Sequence, residues 1–493
     1  MTAEHPNILV IMSDQHSAGR CGCYGDTLVR TPNMDRLARE GTRFDAAYTP
    51  SPVCVPARMS FMTGRRPSDI RVMENYDILP SGTPTWAHHL SLAGYETALI
   101  GRMHFEGPDQ HRGFEYVHPL YLNWNDGHPI DQQVMSEQVP NHCYWAERSS
   151  LLHSGHGTTR VQWHDEDVCE KACEYLAGKA DAQDRPFAAV AGFYMPHSPY
   201  IGRKDLFEYY LERVGLPEHT EEELPAYLHR FYSDFRTWFD PPIPDERKRI
   251  VRAAYYALCE HTDELVGKLL DTLDRTGLAE NTVVVYCSDH GDMAGQMGLW
   301  GKIVHYEDSA RVPLIVRHPD ADLNRGACSR VCNLRDLAAT LCDIGGADPL
   351  IQTDARSMLA LLRDPDATWE DYTESELSNA PIVRQKHPCT SRMIRQGPWK
   401  CWGYHINGER FYSLFNLEED PQECRDLVHD PQHAEIAAEL KARLCDGWAP
   451  ATIEREAMQR RADRGILRRA WKPFASGPPY AIPDHVEQDV VVL

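Results

Sequence analysis

Short, nearly continuous apolar runs alternate with amphipathic segments along most of the chain. The runs at residues 7–12, 97–100, 187–193, 282–287 and 312–316 are typical of strands in a sheet that is covered on both faces. The clearest helical pattern spans residues 245–275, and Gly277 supplies a stop signal just beyond it. This alternation predicts an α/β fold with a large doubly wound, mostly parallel sheet flanked by helices.

The pattern changes near residue 375. Residues 393–402 and 410–416 read as short strands around turns, and residues 434–448 read as a helix, which together predict a small α+β C-terminal domain. We therefore expect a catalytic domain at 1–375, a small domain at 376–450 and a C-terminal arm at 451–493. The arm carries a basic run and an apolar end at residues 490–493. The arm is either a solvated tail or a segment that docks on a neighbouring subunit. On the second interpretation we expect a homo-oligomer, a dimer or a tetramer.

Charge and composition narrow the function. The 493 residues include 51 Lys and Arg against 73 Asp and Glu, which gives a formal net charge of −22. Such an acidic chain is a poor partner for nucleic acid or for an anionic membrane, and we expect neither. No stretch approaches the length of a membrane span, and the first residues lack the features of a signal peptide, which predicts a cytoplasmic protein. The 15 cysteines are scattered, so we expect most to be reduced and buried.

Polar residues follow two of the predicted strands directly. Asp14 and Gln15 follow the first strand, and Asp289 and His290 follow the strand at 282–287. Side chains at the carboxyl ends of parallel strands converge on one edge of a sheet. Two carboxylates, an amide and an imidazole suit a hard divalent cation, Ca²⁺ or Mg²⁺ and less readily Mn²⁺. These residues predict a metal site, with Ca²⁺ favoured.

A third feature is the segment Cys54-Val55-Pro56-Ala57-Arg58. Prolines precede it and an apolar run follows it, so it reads as a rigid turn that leads into a helix N-terminus. Helix N-termini bind anions well.

Taken together, these motifs resemble the formylglycine-dependent (type I) sulfatases of the alkaline phosphatase superfamily. The resemblance rests on the first strand with Asp14, the segment at 31–41, the C-x-P-x-R segment, residues 288–292 and the segment at 412–421, which occur in the family's order. Within the family the chain is most similar to choline-sulfatase-like members, through segments at 51–54, 71–75, 86–90 and 107–115.

The resemblance implies a role for each matching residue. Cys54 matches the cysteine that a formylglycine-generating enzyme oxidises, and the resulting hydrate is both nucleophile and metal ligand. Arg58 matches the arginine that supports that hydrate, and Arg102 stands where the family usually has lysine. The implied proton-transfer and charge-stabilising residues are His104, His197 and Lys302, and the implied metal ligands are Asp14, Gln15, Cys54, Asp289 and His290.

The implied reaction is hydrolysis of a sulfate monoester. One hydroxyl of the hydrated aldehyde attacks sulfur while His197 or Lys302 protonates the leaving oxygen, and His104 then accepts a proton from the second hydroxyl as sulfate leaves. Two alternatives stay open: a phosphonate monoester or phosphodiester hydrolase with the same site, and a binding protein on an inactive sulfatase scaffold.

Three residues bear on the alcohol portion of the sulfate ester. Asn75 matches a polar residue near the sulfate. Trp124 and Trp145 lie in the segment 116–165, which we expect to be a long irregular substrate-binding loop. Their rings could stack on a quaternary ammonium, an aryl group or a sugar. We therefore expect a small organic substrate resembling choline sulfate, an aryl sulfate or a sugar sulfate.

Overall fold

The computed structural model of the chain describes residues 5–107, 109–118, 148–182, 185–236, 242–323, 326–379, 389–470 and 488–493. Trp124 and Trp145, two of the predicted substrate-binding residues, lie outside the described residues.

The strands and helices alternate through the first three quarters of the chain. The strands are β1 (Asn7–Asp14), β2 (Thr42–Tyr48), β3 (Glu96–Gly101), β4 (Tyr116–His118), β5 (Gly155–Thr158), β6 (Phe187–Pro196), β7 (Ile201–Gly202), β8 (Thr282–Ser288), β9 (Leu314–Arg317), β10 (Gly326–Asn333), β11 (Tyr372–Asn379), β12 (Cys389–Gln396), β13 (Trp399–Ile406), β14 (Glu409–Asn416) and β15 (Gln488–Val492). The α-helices are α1 (Pro32–Glu40), α2 (Cys54–Thr63), α3 (Pro67–Ile70), α4 (Trp86–Leu92), α5 (Arg148–Leu152), α6 (Arg160–Ala182), α7 (Lys204–Leu211), α8 (Ala226–Arg236), α9 (Asp245–Thr276), α10 (Glu307–Ala310), α11 (Leu334–Ile344), α12 (Leu359–Arg363), α13 (Ala434–Cys445) and α14 (Pro450–Ala470).

The large sheet has eight strands in the order β10-β2-β9-β8-β1-β6-β3-β4. Neighbouring strands are parallel except where β9 pairs antiparallel with β2 and β8. The predicted doubly wound, mostly parallel sheet is thus confirmed. β1 shows why it forms: all eight of its residues are buried, and alternate side chains enter two different cores. A strand whose side chains are apolar on both faces requires helices on both faces.

The carboxyl ends of four adjacent strands deliver the residues predicted to form the site. In the order β8-β1-β6-β3, these strands are followed by, or end in, Asp289, Asp14, His197 and Arg102 respectively. The parallel register pairs Ser13 with Ser288, which brings the ends of β1 and β8 level. Residues far apart in sequence therefore meet at one edge of the sheet.

The C-terminal domain is built on a separate antiparallel sheet. Its strand order is β11-β12-β13-β14, and α13 packs on it through Leu440 and Leu444. This confirms the predicted small α+β unit. The division at residue 376 remains a proposal, and that position lies within β11. The helix predicted at 434–448 ends earlier, at Cys445, and α14 follows it.

The segment 116–165 is more regular than its composition indicates. Its described ends form β4, α5, β5 and the first turn of α6, so the prediction of a continuous irregular loop is wrong there. β5 pairs with β7 on one side and with β15 of the same chain on the other. Alternating small and polar residues concealed β5, because its partner β15 lies more than 300 positions away.

The predicted long helix is confirmed as α9, Asp245–Thr276, and Gly277 follows it in the left-handed region with a φ of 75°. No helix among the described residues is long and apolar enough to cross a membrane.

Gly192 of β6 packs closely against the backbone of Arg102, one of the predicted site residues. A Cβ at this position would lie 2.0 Å from the carbonyl oxygen of Arg102, and that oxygen accepts a hydrogen bond from Arg58. A side chain at position 192 would therefore force the backbone of residue 192 or of Arg102 to move.

We expect Gly192→Ala to lower the free energy of unfolding by about 1–3 kcal/mol, the usual range for an overpacked core, and to lower turnover as well. Gly178→Ala is the matched control, because no atom of the described residues lies within 4 Å of a Cβ there and alanine favours a helix. Chemical denaturation and steady-state kinetics measure both effects. Equal stability of the two variants would contradict the account.

Candidate active site

Cys54 is the first residue of α2 and is only 1% exposed. Its Sγ lies 2.9 Å from Lys302 Nζ, 3.2 Å from His290 Nε2 and 3.7 Å from Asp14 Oδ1. A helix N-terminus carries partial positive charge and unpaired N–H groups, which favour an oxyanion at this position. The predicted nucleophile thus lies among a cation, an imidazole and a carboxylate.

Asn75 supports the start of the same helix. Its Oδ1 accepts a hydrogen bond of 2.9 Å from the backbone N–H of Val55. Asp77 stabilises the turn that carries Asn75, because its carboxylate accepts hydrogen bonds from the backbone N–H groups of Met73 and Glu74. Asp77 also pairs with Arg460 of α14 at 3.0 Å. The structure therefore places Asn75 beside the nucleophile's helix, where the sequence predicted a residue near the sulfate.

Arg58 is fully buried and joins three parts of the site. Its guanidinium donates to Asp289 at 2.8 Å, to Asp14 at 3.1 Å and to the carbonyl oxygen of Arg102 at 2.9 Å. Burial alone would lower the pKa of Arg58, but Asp289 and Asp14 raise it. Arg58 is therefore a fixed cation that holds two carboxylates in position.

Arg102 bridges Asp14 and His104. Its Nε donates to Asp14 Oδ2 at 2.9 Å, its Nη2 donates to His104 Nδ1 at 2.7 Å, and its guanidinium lies 4.3 Å from the centre of the Tyr194 ring. Burial and the charge of Arg102 hold the pKa of His104 well below its usual value. The ring is therefore neutral, and because Nδ1 accepts, its hydrogen is on Nε2.

Four ligand groups converge beside Cys54. One ligand atom each from Asp14, Cys54, Asp289 and His290 lies within 4.8 Å of all the others. His290 Nε2 is 3.7 Å from Asp14 Oδ1 and 3.6 Å from Asp289 Oδ1. A Ca²⁺ ion with bonds of about 2.3–2.6 Å spaces ligands at right angles by about 3.3–3.7 Å. Burial lowers the pKa of His290 to about 4, so its ring is neutral and able to coordinate a metal at neutral pH.

Gln15 completes this oxygen-rich set. Its Nε2 donates to Asp292 Oδ2 at 2.6 Å, which fixes the orientation of the amide, and its backbone N–H donates to Asp289 Oδ1 at 3.1 Å. Its Oε1 is buried and has no hydrogen-bond partner among the described residues. A buried carbonyl oxygen without a partner is costly, and a cation would satisfy it. The residues present therefore fit a hard divalent cation.

Two residues orient Gln15 that sequence reasoning had not assigned to this role. Asp292 also accepts from the Tyr200 hydroxyl at 2.7 Å and from the backbone N–H groups of Ala294 and Gly301. Tyr255 of α9 donates to the carbonyl oxygen of Gln15 at 2.7 Å. Asp292 lies in the segment 288–292 that contributed to the family resemblance, but nothing in the sequence linked Tyr255 to Gln15.

His197 and Lys302 are the remaining predicted residues near the nucleophile. Besides its contact with Cys54, Lys302 Nζ lies 3.8 Å from Asp14 Oδ1. His197 Nδ1 lies 2.8 Å from the carbonyl oxygen of Ser198, and its ring is an electrostatic neighbour of Cys54. Burial and the charge of Lys302 lower the pKa of His197. Both residues are within reach of a group bound at position 54.

The charges of the site are nearly balanced. Around the nucleophile the buried carboxylates are Asp14, Asp289 and Asp292, and the buried cations are Arg58, Arg102 and Lys302. A fourth buried carboxylate, Glu106, lies 3.6 Å from Nε2 of His104. Burial alone would raise the pKa of Asp14, but Arg102, Lys302 and Arg58 hold it well below its usual value. A divalent cation added to this set gives a net positive site, which suits an anionic substrate.

Comparison with known proteins identifies the family. The profile described as Sulfatase matches residues 6–347, and one described as N-sulphoglucosamine sulphohydrolase, C-terminal, matches residues 295–448. The chain belongs to the sulfatase family. It is a sulfatase, as the resemblance in sequence had implied.

Individual relatives agree with this assignment. A choline-sulfatase of Rhizobium meliloti is 33% identical, over 90% of this chain and 86% of the relative. An arylsulfatase of Clostridium perfringens is 28% identical, over 87% of this chain and 92% of the relative. Among solved structures, a phosphonate monoester hydrolase of Agrobacterium radiobacter is similar with a TM-score of 0.71 and 21% identity, covering 90% of this chain and 95% of that one. The last comparison shows the shared fold.

We expect loss of the Arg102 charge to impair turnover strongly. Arg102→Met removes the cation that pairs with Asp14, and losing one such electrostatic contact costs about 10²–10³ in kcat. Arg102→Lys keeps the charge but cannot hold both Asp14 and His104, so its kcat should be intermediate.

The measurement is steady-state hydrolysis of a chromogenic aryl sulfate, with Arg65→Lys, at a largely solvent-exposed contact, as the control. A kcat of Arg102→Met equal to that of the unsubstituted protein would show that the bridge is dispensable.

Proposed function

We propose that this sulfatase hydrolyses the sulfate monoester of a small organic alcohol, with a formylglycine derived from Cys54 as its nucleophile and a divalent cation beside it. The observation that carries the proposal is the position of Cys54 at the start of a buried helix, 2.9 Å from Lys302 and within the group of Asp14, Asp289 and His290. This arrangement supports a reaction in which a nucleophile, a cation and proton-transfer groups act around one point.

The burial of Cys54 bears on how it would be modified. Every residue of α2 is buried, so a formylglycine-generating enzyme could not reach Cys54 in the folded protein. Modification would therefore precede folding and would depend on the local segment from Cys54 to Arg58, which has the complete C-x-P-x-R pattern. The hydrated aldehyde supplies one hydroxyl that attacks sulfur and a second whose deprotonation releases sulfate.

We propose Asp14, Gln15, Asp289, His290 and position 54 as ligands of one cation. Ca²⁺ is favoured because oxygen donors predominate, and Mg²⁺ and Mn²⁺ are the alternatives. Two observations support a cation of this kind. The Oε1 of Gln15 has no hydrogen-bond partner in the described part of the chain, and the carboxylate and imidazole ligand atoms are spaced by 3.6 and 3.7 Å. When bound, the cation supplies positive charge to the oxygens of the sulfuryl group.

The chain's own residues then have distinct tasks. Arg102 and Lys302 offset charge on the sulfuryl oxygens, and Arg58 keeps Asp14 and Asp289 in place. Lys302 or His197 donates a proton to the leaving oxygen. His104 accepts a proton in the second step, and it can do so only after Arg102 releases its Nδ1. A sulfate oxygen that competes for the Arg102 guanidinium would free this nitrogen.

A choline-sulfate-like ester is the first candidate substrate, because the choline-sulfatase relative shares 33% identity over nearly the whole chain. Aryl and sugar sulfates follow, since the arylsulfatase relative is also similar over most of its length. The second candidate function is hydrolysis of phosphonate monoesters or phosphodiesters. A phosphonate monoester and a phosphodiester carry the same single negative charge as a sulfate monoester, so the same nucleophile, cation and Gln15 could serve them.

We also propose a cytoplasmic location. In the described part of the chain all fourteen cysteines are free, and most are buried. Free thiols on this scale are typical of a reducing compartment.

A parallel rate measurement tests the proposed function. The metal-loaded, aldehyde-bearing protein should give a higher kcat/KM on an aryl sulfate than on the phosphonate ester with the same leaving group. Within a panel of sulfates, choline sulfate should give the highest value. A higher kcat/KM on the phosphonate ester would favour the second function, and inactivity on every ester would favour a binding protein.

Modification of Cys54 is tested by mass analysis of the peptide that contains it. Protein made with a formylglycine-generating enzyme should show loss of the thiol and gain of an aldehyde. Cys54→Ala should reduce kcat by several orders of magnitude, because alanine supplies neither nucleophile nor second hydroxyl. Cys287→Ala, which changes a buried cysteine of β8, is the control for folding. Full activity of Cys54→Ala would exclude the proposed nucleophile.

We further propose that the C-terminal arm supports a homo-oligomer. β15 pairs with β5 of its own chain, yet Val491, Val492 and Leu493 remain 41%, 39% and 43% exposed. Truncation after Ala470 should lower the mass measured by light scattering to that of one subunit. An unchanged mass would mean that the arm serves only its own subunit.

A further inference from the structure

A second group of metal-binding side chains lies outside the active site. His219 and Glu223 belong to the segment that follows α7, and Cys424 belongs to the loop that follows β14 in the C-terminal domain. One ligand atom from each lies within 4.8 Å of the other two. The group therefore joins the two parts of the chain that carry the large and the small sheet.

We propose that His219, Glu223 and Cys424 form a zinc site that ties the C-terminal domain to the catalytic domain. An imidazole nitrogen, a carboxylate oxygen and a thiolate are all accepted ligands of Zn²⁺, whereas Ca²⁺ and Mg²⁺ take oxygen. Three protein ligands leave the fourth tetrahedral position for water.

The distances between the ligand atoms match this ion. With Zn–S of about 2.3 Å and Zn–N and Zn–O of about 2.0–2.2 Å, tetrahedral geometry separates sulfur from nitrogen by about 3.6 Å and nitrogen from oxygen by about 3.4 Å. The observed distance from Cys424 Sγ to His219 Nδ1 is 3.4 Å, and that from His219 Nδ1 to Glu223 Oε1 is 3.1 Å. These two separations lie within about 0.2–0.3 Å of the tetrahedral values, and the ligand atoms of Glu223 and Cys424 lie within 4.8 Å of each other.

Hydrogen bonds do not use the full ligand capacity of this group. With its hydrogen on Nδ1, His219 donates to Glu223, and Nε2 can accept the weak S–H donor of Cys424 at 3.6 Å. The Sγ atom also lies 3.7 Å from the carbonyl oxygen of Gln422. A cation would replace these contacts with bonds to an imidazole nitrogen, a carboxylate oxygen and a thiolate.

The surroundings of the group hold it in place and leave it accessible. Gln296 accepts the backbone N–H of His219, and Glu223 Oε2 accepts the backbone N–H of Thr220, so both ligands are anchored by their own segment. The side chains of His219 and Glu223 are 20% and 38% exposed, so ions can enter from solvent. His219 also lines a cavity of about 510 Å³ between the two domains, which has room for a coordinated water.

Cobalt substitution tests the proposal. Co²⁺ is added to the full-length protein in a Cys54→Ala background, so that a cation in the active site has no thiolate ligand and gives no thiolate-to-cobalt charge-transfer band. About one equivalent should produce that band and tetrahedral ligand-field bands, and Zn²⁺ should displace both. The band should be lost in Cys424→Ser and much weaker in Glu223→Gln. Cys445→Ser, at a half-buried cysteine of the same domain, should retain it.

Thermal unfolding gives the second readout. Zn²⁺ should raise the midpoint of the Cys445→Ser protein more than that of the Cys424→Ser protein, because an ion that binds only the folded state stabilises it by mass action. A charge-transfer band of equal strength in Cys424→Ser would overturn the proposal, as would the absence of any such band in the Cys54→Ala protein. Neither result depends on the proposed reaction.

Discussion

The balance of buried charge around Asp14 is the constraint on which the site depends. Asp14, Asp289 and Asp292 are buried with Arg58, Arg102 and Lys302 at one edge of the sheet, and Glu106 is a further buried carboxylate beside His104. Removing either partner of a buried ion pair leaves an uncompensated charge at a cost of several kcal/mol. Arg58 and Arg102 share the Oδ2 atom of Asp14, and Arg58 reaches Asp289 with its Nε. Each contact fixes two elements at once, which explains how β1, β3, β8 and α2 keep their ends together.

This balance is also the physical reason for the proposed cation. Without one, the carboxylates neutralise Arg58, Arg102 and Lys302, and an anionic ester gains little from the site as a whole. Gln15 lacks a charge, so as the proposed ligand it would add an oxygen and no further negative charge. A divalent ion would leave the cations of the chain free to attract the sulfuryl oxygens, and a charge in a buried site acts strongly because water is excluded.

The sequence predicted the parts of the fold that are encoded locally. β1 and α9 were recognised from apolar periodicity, and the convergence of Asp14 with Asp289 followed from the position of each after a parallel strand. Features that depend on distant partners were not predictable. The pairing of β15 with β5 joins segments more than 300 residues apart, Tyr255 reaches Gln15 from the middle of a helix, and Arg460 reaches Asp77 from α14. Such contacts are set by tertiary packing and leave no local pattern.

The group of His219, Glu223 and Cys424 was not predicted for the same reason, because none of the three residues stands in a recognisable metal-binding motif.

Calorimetric titration of inorganic sulfate, the product, tests the central claim about charge most directly. The protein is treated with chelator, and sulfate binding is measured with and without added Ca²⁺ at constant ionic strength. If the cation converts a balanced cluster into a positive site, sulfate should bind at least tenfold more tightly when Ca²⁺ is present, and by linkage sulfate should tighten Ca²⁺ binding by the same factor. Sulfate binding of equal strength in the two conditions would contradict the account, because it would show that the residues of the chain provide the positive site without a metal ion.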